Sequence, residues 1–539
     1  MKIRNVDLLE QELKNFLSDP KTTDNLSVAV SKAKKILNVK KDNCFANYTL
    51  ALNEVVTQKN KSSEPDYSAA IESFERIIKI DPNFLEAYLM LVKIYKKIDR
   101  QKEYDLLKKA NKKFPDHYLI MFELANIMCF KTGEKFEGLE LFSKCVQKLP
   151  MVDAAWAGVG SAYLINREFE MALKSFETCL AINPKNLTAI LGIGVYYYEN
   201  AEFTKAHEYY DKALEIDKNS FWGNFNKALL SLLEGDYKNG LEIYEKRDKD
   251  QYLKEYGGVE VPEINKNEVI KHSNKRLLIL REQGFGDDVM YSRYLKPLKE
   301  LGYDVTYACP PELKDFFRLS PDLDDIKVDN KIPKSFYHYR SFLLSLPWIT
   351  SNFIKDKIGK PLKIDLNRLD ESKVEIPKKY KELTSSKKLK IGIAWSGRPT
   401  HIRDFNRNIH LEMLSSIFDC NADFFVLQKF YKGKDPEFLK KFKNVHNCSD
   451  YLKNFLHTTY FLNKMDLVFS VDTSLVHLSG TLGKRTYLFL PMVPDFRWGL
   501  KQGQEWYPSV KLLRQKALND WTHPINECKK IIKEKLGSS

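Results

Sequence analysis

A spacing of 34 residues constrains this chain more than any other feature. Trp156, Gly160, Tyr163, Ala172, Phe176 and Pro184 make one unit, in the segment that begins at Asp153. One period further on stand Gly194, Tyr197, Ala206 and Tyr210, with Ala213 close behind, and one period back stand Phe142 and Pro150. Ala70, Phe74 and Pro82 repeat the ending of the unit, Tyr88 and Tyr95 its beginning, and a weaker copy surrounds Ala228 and Tyr244. Small residues at 160 and 172 let two antiparallel helices approach. Large ones at 156, 163 and 176 fill the space between neighbouring units, and Pro184 stops the second helix. One helix pair cannot bury its apolar face alone, so the units must stack into a solenoid with a concave surface.

These residues resemble tetratricopeptide repeats from roughly Ser27 to Arg247, and a solenoid over residues 1–250 is expected. Trp156, Tyr163 and Phe176 are expected in the core. Residues that bind a partner must then lie elsewhere on the concave face, with Tyr196, Asn200, Asn224 and Asn226 as candidates. The segment Lys59–Asp66 lengthens one repeat and reads as a loop.

Beyond Arg247 the period fades. Residues 251–274 are polar, contain Gly257-Gly258 and Pro262, and suit a connection. Two α/β segments follow, expected over 275–387 and 388–539. In the first, the apolar run Arg276–Leu280 reads as a buried parallel strand. It leads into Glu282-Gln-Gly-Phe-Gly-Asp-Asp288, then a helix over Val289–Leu301 and a strand at Asp304–Ala308. Strand, glycine turn, helix, strand is a βαβ unit, and Gly284 and Gly286 let a ligand approach the backbone at the helix start. Asp287 suits two roles there, a helix cap or a group facing a ligand.

The second segment opens with the strand Lys390–Trp395, followed by Ser396-Gly397-Arg398. The loop Pro399–Asn408 carries His401, Arg403, Asp404 and Arg407, cations where a parallel strand ends and a phosphate would be held. Strands are expected at Asp423–Leu427, Leu467–Val471 and Lys484–Leu490. Asp472-Thr473-Ser474 begins a helix over Leu475–Leu482, offering hydroxyls and unpaired backbone N–H groups suited to a diphosphate or to sugar hydroxyls. His477, one turn in, faces either the cleft or the sheet.

Composition narrows the classes. The formal charge is +14, but the lysines are spread along the chain, so a basic solvated surface is expected rather than a nucleic-acid patch. None of the eight cysteines forms a CxxC pair, and a reducing, cytoplasmic setting fits. The first twenty residues lack the apolar core of a signal peptide, and no run approaches a transmembrane length.

Glu282-Gln-Gly-Phe-Gly-Asp287, Ala394-Trp-Ser-Gly397, Arg403-Asp-Phe-Asn-Arg407, Asp472-Thr-Ser-x-x-His477, Gly483 and Pro494-Asp-Phe-Arg-Trp498 resemble, in order, the motifs of repeat-linked glycosyltransferases. These are similar to the heptosyltransferase family (glycosyltransferase family nine) and to flagellin-type protein O-glycosyltransferases. The resemblance covers about Lys275 to Trp521 and implies the GT-B fold, two Rossmann-like lobes, the first presenting the acceptor and the second holding a sugar nucleotide. It implies Asp287 as general base and Arg407 as the cation that stabilises the departing diphosphate. Gly284, Gly286, Ser396, Gly397, Asp472, Thr473, Ser474, His477, Arg497 and Trp498 are implied at the donor side. Trp498 and Tyr507 are candidates to stack on a base or sugar, or to be buried at the seam. No resident cofactor or metal is expected.

The function this implies is inverting transfer of a sugar from a nucleotide sugar to a hydroxyl of a protein acceptor, flagellin-like, recruited by the repeats. A lipid-linked or envelope glycan as acceptor, and a non-catalytic scaffold with a degenerate GT-B module, are the alternatives.

Overall fold

The computed structural model describes residues 3–17, 26–61, 65–271, 274–329, 331–332, 336–354, 359–399, 403–501 and 506–537. The expected loop Lys59–Asp66 lies partly outside these residues, and His401 lies wholly outside them. The chain forms two compact units, Met1–Tyr196 and Tyr197–Ser539.

The first unit is a stack of helix pairs, among them Ser68–Ile80 with Leu85–Ile98 and Asp153–Asn166 with Phe169–Ile182. Its period is visible in two phenylalanines 34 residues apart. Phe142 and Phe176 are wholly buried, Phe142 against Gly158 and Phe176 against both Gly160 and Gly192. A Cβ at Gly160 would come within 2.6 Å of the Phe176 ring, so glycine is required for this helix approach. Burying each ring contributes about 1.5–3 kcal/mol. Trp156 and Tyr163 are only half-buried, flanking the core rather than filling it, and the Trp156 indole donates to Pro150 O at 2.8 Å.

The expected partner-binding residues are partly committed elsewhere. The Tyr196 hydroxyl donates to Glu170 at 2.9 Å within the first unit. Asn224, in the second, is buried and donates to the carbonyls of Lys218 and Ser220 at 3.0 and 2.9 Å, so it braces its own helix start.

The second unit begins with three further repeat-type helices, Phe203–Ile216, Phe221–Glu234 and Tyr237–Tyr244. The segment read as a connection is itself packed. It holds the helix Asp250–Glu255, and Arg340 exchanges backbone hydrogen bonds with Pro262 and Ile264.

Two wholly parallel sheets follow. The first contains β1 (Arg276–Leu280), β2 (Asp304–Ala308), β3 (Lys327–Asp329) and β4 (Tyr339–Phe342), in the order β3-β2-β1-β4. The second contains β5 (Lys390–Ala394), β6 (Asp423–Val426), β7 (Val445–Asn447), β8 (Leu467–Val471), β9 (Thr486–Leu490) and β10 (Val510–Arg514). Its order is β10-β9-β8-β5-β6-β7. Strand order reverses between β1 and β4 in one sheet and between β5 and β8 in the other, the places where open parallel sheets bind ligands. The helix expected over Val289–Leu301 starts earlier and is broken. It runs Phe285–Tyr291, tightens to a 3₁₀ turn at Ser292–Tyr294 and resumes at Leu295–Glu300.

Candidate functional site

A cavity of about 680 Å³ lies in the second unit, where the loops after β1, β5, β8 and β9 converge. Asp287, Arg407, Asp472, Thr473, Ser474, His477 and Arg497 all line it, with Gly284, Gly286, Ser396 and Gly397. The sequence motifs from both sheets therefore share one crevice.

After β1, Gln283 adopts a left-handed φ of 64°, strained for a residue with a side chain. Its amide is held at both ends, donating to the Tyr244 hydroxyl at 2.8 Å and accepting from Arg497 Nη2 at 3.3 Å. Asp287 takes the first of the two roles open to it, as a helix cap. Its Oδ2 accepts from Gly284 N at 3.1 Å, capping the helix, while Oδ1 accepts from Arg497 Nη2. Burial raises the Asp287 carboxyl above the usual range, and the Arg497 charge opposes that rise. Asp288 points away into the fold, where its Oδ1 accepts from the Tyr307 hydroxyl at 2.5 Å and its Oδ2 pairs with Arg281 at 3.1 Å. Burial lifts Asp288 to about 6.

At Gly286 the helix after β1 comes close to the helix after β8. A Cβ there would sit 2.9 Å from His477 Cδ2 and 3.6 Å from Ser474 Cα. The helix Ser474–Thr481 starts at this point. Thr473 is its N-cap, and no side chain among the described residues caps it, so its first N–H groups are available to an anion.

Arg407 ends the short helix Asp404–Arg407, lies over Gly397 and donates through Nη1 to Asp472 O at 2.8 Å. Burial lifts the Asp472 carboxyl to about 6, Asp495 adds repulsion and Arg407 opposes it. Arg403, on the same loop, is paired with Glu199 at 2.8 Å, whereas Arg407 Nη2 lies 3.7 Å from Asp404. The Ser396 hydroxyl is buried and accepts from Gln428 Nε2 at 3.1 Å, so it fixes the loop.

His477 lines the cavity, yet its ring is packed on Trp498, with centroids 5.4 Å apart at 23°, and its Nδ1 lies 3.2 Å from the Tyr507 hydroxyl. Burial first, then Arg497 and Arg293, push it down to about 3, so it is neutral at physiological pH. Trp498 and Tyr507 are each 1% exposed and do not line the cavity. The stacking role on a base or sugar is therefore corrected: both rings wall in His477, because the loop after β9 folds inward over that helix.

Asp495, whose role the sequence did not signal, accepts from Arg497 Nη1 at 2.6 Å. Burial would raise Asp495, but the Arg497 charge and hydrogen bonds hold it below the usual carboxylate range. Phe430, 43% exposed, and Arg398, 5.9 Å over its ring, add an aromatic and a cationic edge to the lining. Among the described residues, no group of three or more His, Cys, Asp or Glu side chains is placed to hold a metal ion. None of their helices is long and apolar enough to cross a membrane.

The tetratricopeptide repeat family matches residues 154–186 and 187–220. The chain carries tetratricopeptide repeats. Such repeats suggest a protein-interaction scaffold. No curated protein matches the chain. Among solved structures, YrrB, a tetratricopeptide repeat protein with an unusual peptide-binding site, is 18% identical over 36% of this chain and 98% of its own, with a TM-score of 0.30. PilW, a type IV pilus biogenesis factor, is 18% identical over 40% and 95%, with a TM-score of 0.33. A thermophilic repeat protein of Thermus thermophilus is 22% identical over 32% and 95%, with a TM-score of 0.29.

Proposed function

We propose that the protein is an inverting glycosyltransferase of GT-B type, moving a sugar from a nucleotide sugar to a hydroxyl of a protein acceptor that the repeats recruit. One observation carries this reading: a partly buried carboxylate, Asp287, and an uncapped helix start, Ser474, line the same cavity at the carboxyl ends of two parallel sheets. The N–H groups at Ser474 hold the donor diphosphate, and Arg407 adds charge that stabilises it as it departs. Asp287 takes the proton of the acceptor hydroxyl as its oxygen attacks the sugar carbon opposite the leaving diphosphate. The first unit supplies the surface for an extended or folded polypeptide, flagellin-like in class.

The Asp287–Arg497 ion pair favours one competing reading. A carboxylate neutralised by an arginine is a weak base, as in a site that binds a nucleotide sugar without turning it over. Incubation with UDP-, ADP-, GDP- and CMP-linked sugars and a cell lysate, followed by mass spectrometry, separates the two. A glycosylated protein supports the enzyme, whereas donor binding with neither transfer nor hydrolysis supports the scaffold.

A further inference from the structure

We propose that Glu199 and Arg247, which belong to the last repeats, are positioning residues for the two loops that carry Asp287 and Arg407; this rests on the glycosyltransferase reading for its consequence, not for its geometry. Arg247 follows the repeat helix Tyr237–Tyr244 and is 6% exposed. It grips Glu282 with two parallel bonds, Nε to Oε2 at 2.8 Å and Nη2 to Oε1 at 2.6 Å, and Nη2 also donates to Ser345 Oγ at 2.8 Å. Glu282 is 1% exposed and accepts Leu344 N at 3.2 Å, so the loops after β1 and β4 meet on one carboxylate. The neighbouring Tyr244 hydroxyl takes the Gln283 amide, which fixes the strained residue just before Gly284.

The second grip is on the other sheet's loop. Glu199 ends the helix Leu187–Glu199 and accepts from Arg403 at both oxygens, 2.8 and 3.2 Å. The Arg403 guanidinium lies 5.4 Å from the Tyr198 ring centroid and donates to Val493 O at 3.2 Å. Arg407 stands one helical turn further along the same short segment. A bidentate arginine–carboxylate pair fixes orientation as well as distance, and each of these pairs sits within five residues of a group assigned to chemistry. Repeat helices thus set the geometry of both halves of the site, and a truncation at residue 247 would remove both grips together.

Hydrogen exchange on the full-length chain tests this without any ligand. In Glu199→Gln, exchange over 403–408 is expected to quicken about tenfold while β5 and β8 keep their protection. Arg247→Lys, which keeps a cation but cannot bridge both Glu282 oxygens, is expected to quicken exchange over 282–288 alone, and Tyr244→Phe, which leaves the buried ion pair intact, to do so to a smaller extent. Unchanged exchange in these segments, or an increase that spreads equally through the strands, overturns the proposal. A parallel titration with UDP, ADP, GDP and CMP keeps the two ideas separable. If the parent protein binds none of them, the enzyme reading falls and the exchange data still decide the grips. If it binds one, Glu199→Gln is expected to weaken that nucleotide about tenfold, and an unchanged affinity counts against Glu199 as a positioning residue.

Discussion

Arg497 donates through Nη2 to Asp287 Oδ1, joining the loop after β9 in one sheet to the helix start after β1 in the other. Its Nη1 is held by Asp495, so one guanidinium sits between two carboxylates at the edge of the cavity. The pair fixes Asp287 in place and at the same time lowers its basicity.

Under the proposed glycosyltransferase function, substitution of Asp287 separates binding from chemistry. Asp287→Asn keeps an oxygen to accept Gly284 N and is expected to lower transfer about 10²–10⁴-fold with donor affinity nearly unchanged. Asp288→Asn acts differently, because Asp288 is bonded to Arg281 and Tyr307 inside the fold. It is expected to lower thermal stability more than donor affinity. If Asp288→Asn alone abolishes transfer in a well-folded protein, the base is misassigned.

The pH profile reports on Arg497. Burial raises Asp287 and the arginine opposes the rise. Removing the cation in Arg497→Gln lets the carboxyl rise further. A base works only when deprotonated, so the acid limb of kcat/KM should move to higher pH in the variant. An acid limb that stays put, or moves down, contradicts this role for the ion pair.

Two glycines in the same turn should respond differently to alanine. Gly286→Ala drives a methyl to 2.9 Å from His477 and is expected to cost about 1–3 kcal/mol of stability, measured by denaturant unfolding. Gly284→Ala meets nothing nearer than Asp287 Oδ2 at 3.6 Å and has an ordinary φ of −95°, so it should be nearly neutral. Equal effects would show that the close approach at Gly286 is not what selects glycine.

Asp472 couples stability to pH. Its folded carboxyl is raised to about 6, mainly by burial, whereas an unfolded aspartate titrates near 4. The folded state therefore holds its proton more tightly, and the stability this gives is present below pH 4 and lost as pH rises through about 6. Asp472→Asn removes the charge, so its Tm relative to the parent should climb between pH 5 and pH 8. A constant difference across that range would contradict the burial argument.

The interior strands were legible in the sequence because each is an apolar run buried on both faces. Arg276–Leu280, Asp304–Ala308 and Leu467–Val471 appear with the bounds read from it. The four strands that were not legible, β3, β4, β7 and β10, are the edges of their sheets, where Lys-Val-Asp or Val-His-Asn suffices and no apolar run is needed. The glycine and Asp-Thr-Ser turns were legible as strand-end loops because they follow such strands, and both line the cavity. Asp495 was not, since a lone aspartate in a loop gives no sign of the arginine it will hold. Trp498 left two readings open for a related reason: an aromatic beside a basic loop reads equally as a stacking surface and as core, and only the inward fold of that loop decides.

The most direct test of the central claim is a calorimetric titration with UDP, ADP, GDP and CMP of the parent protein and of Ser474→Pro. Proline is tolerated at the first helical position, and Thr473 already has the extended backbone (φ −142°, ψ 173°) that must precede it. The substitution deletes one backbone N–H from the anion site and leaves the helix in place. The account predicts that one nucleotide binds the parent with single-site stoichiometry and binds Ser474→Pro about tenfold more weakly. Binding of none of the four, or equal binding by both proteins, would contradict it.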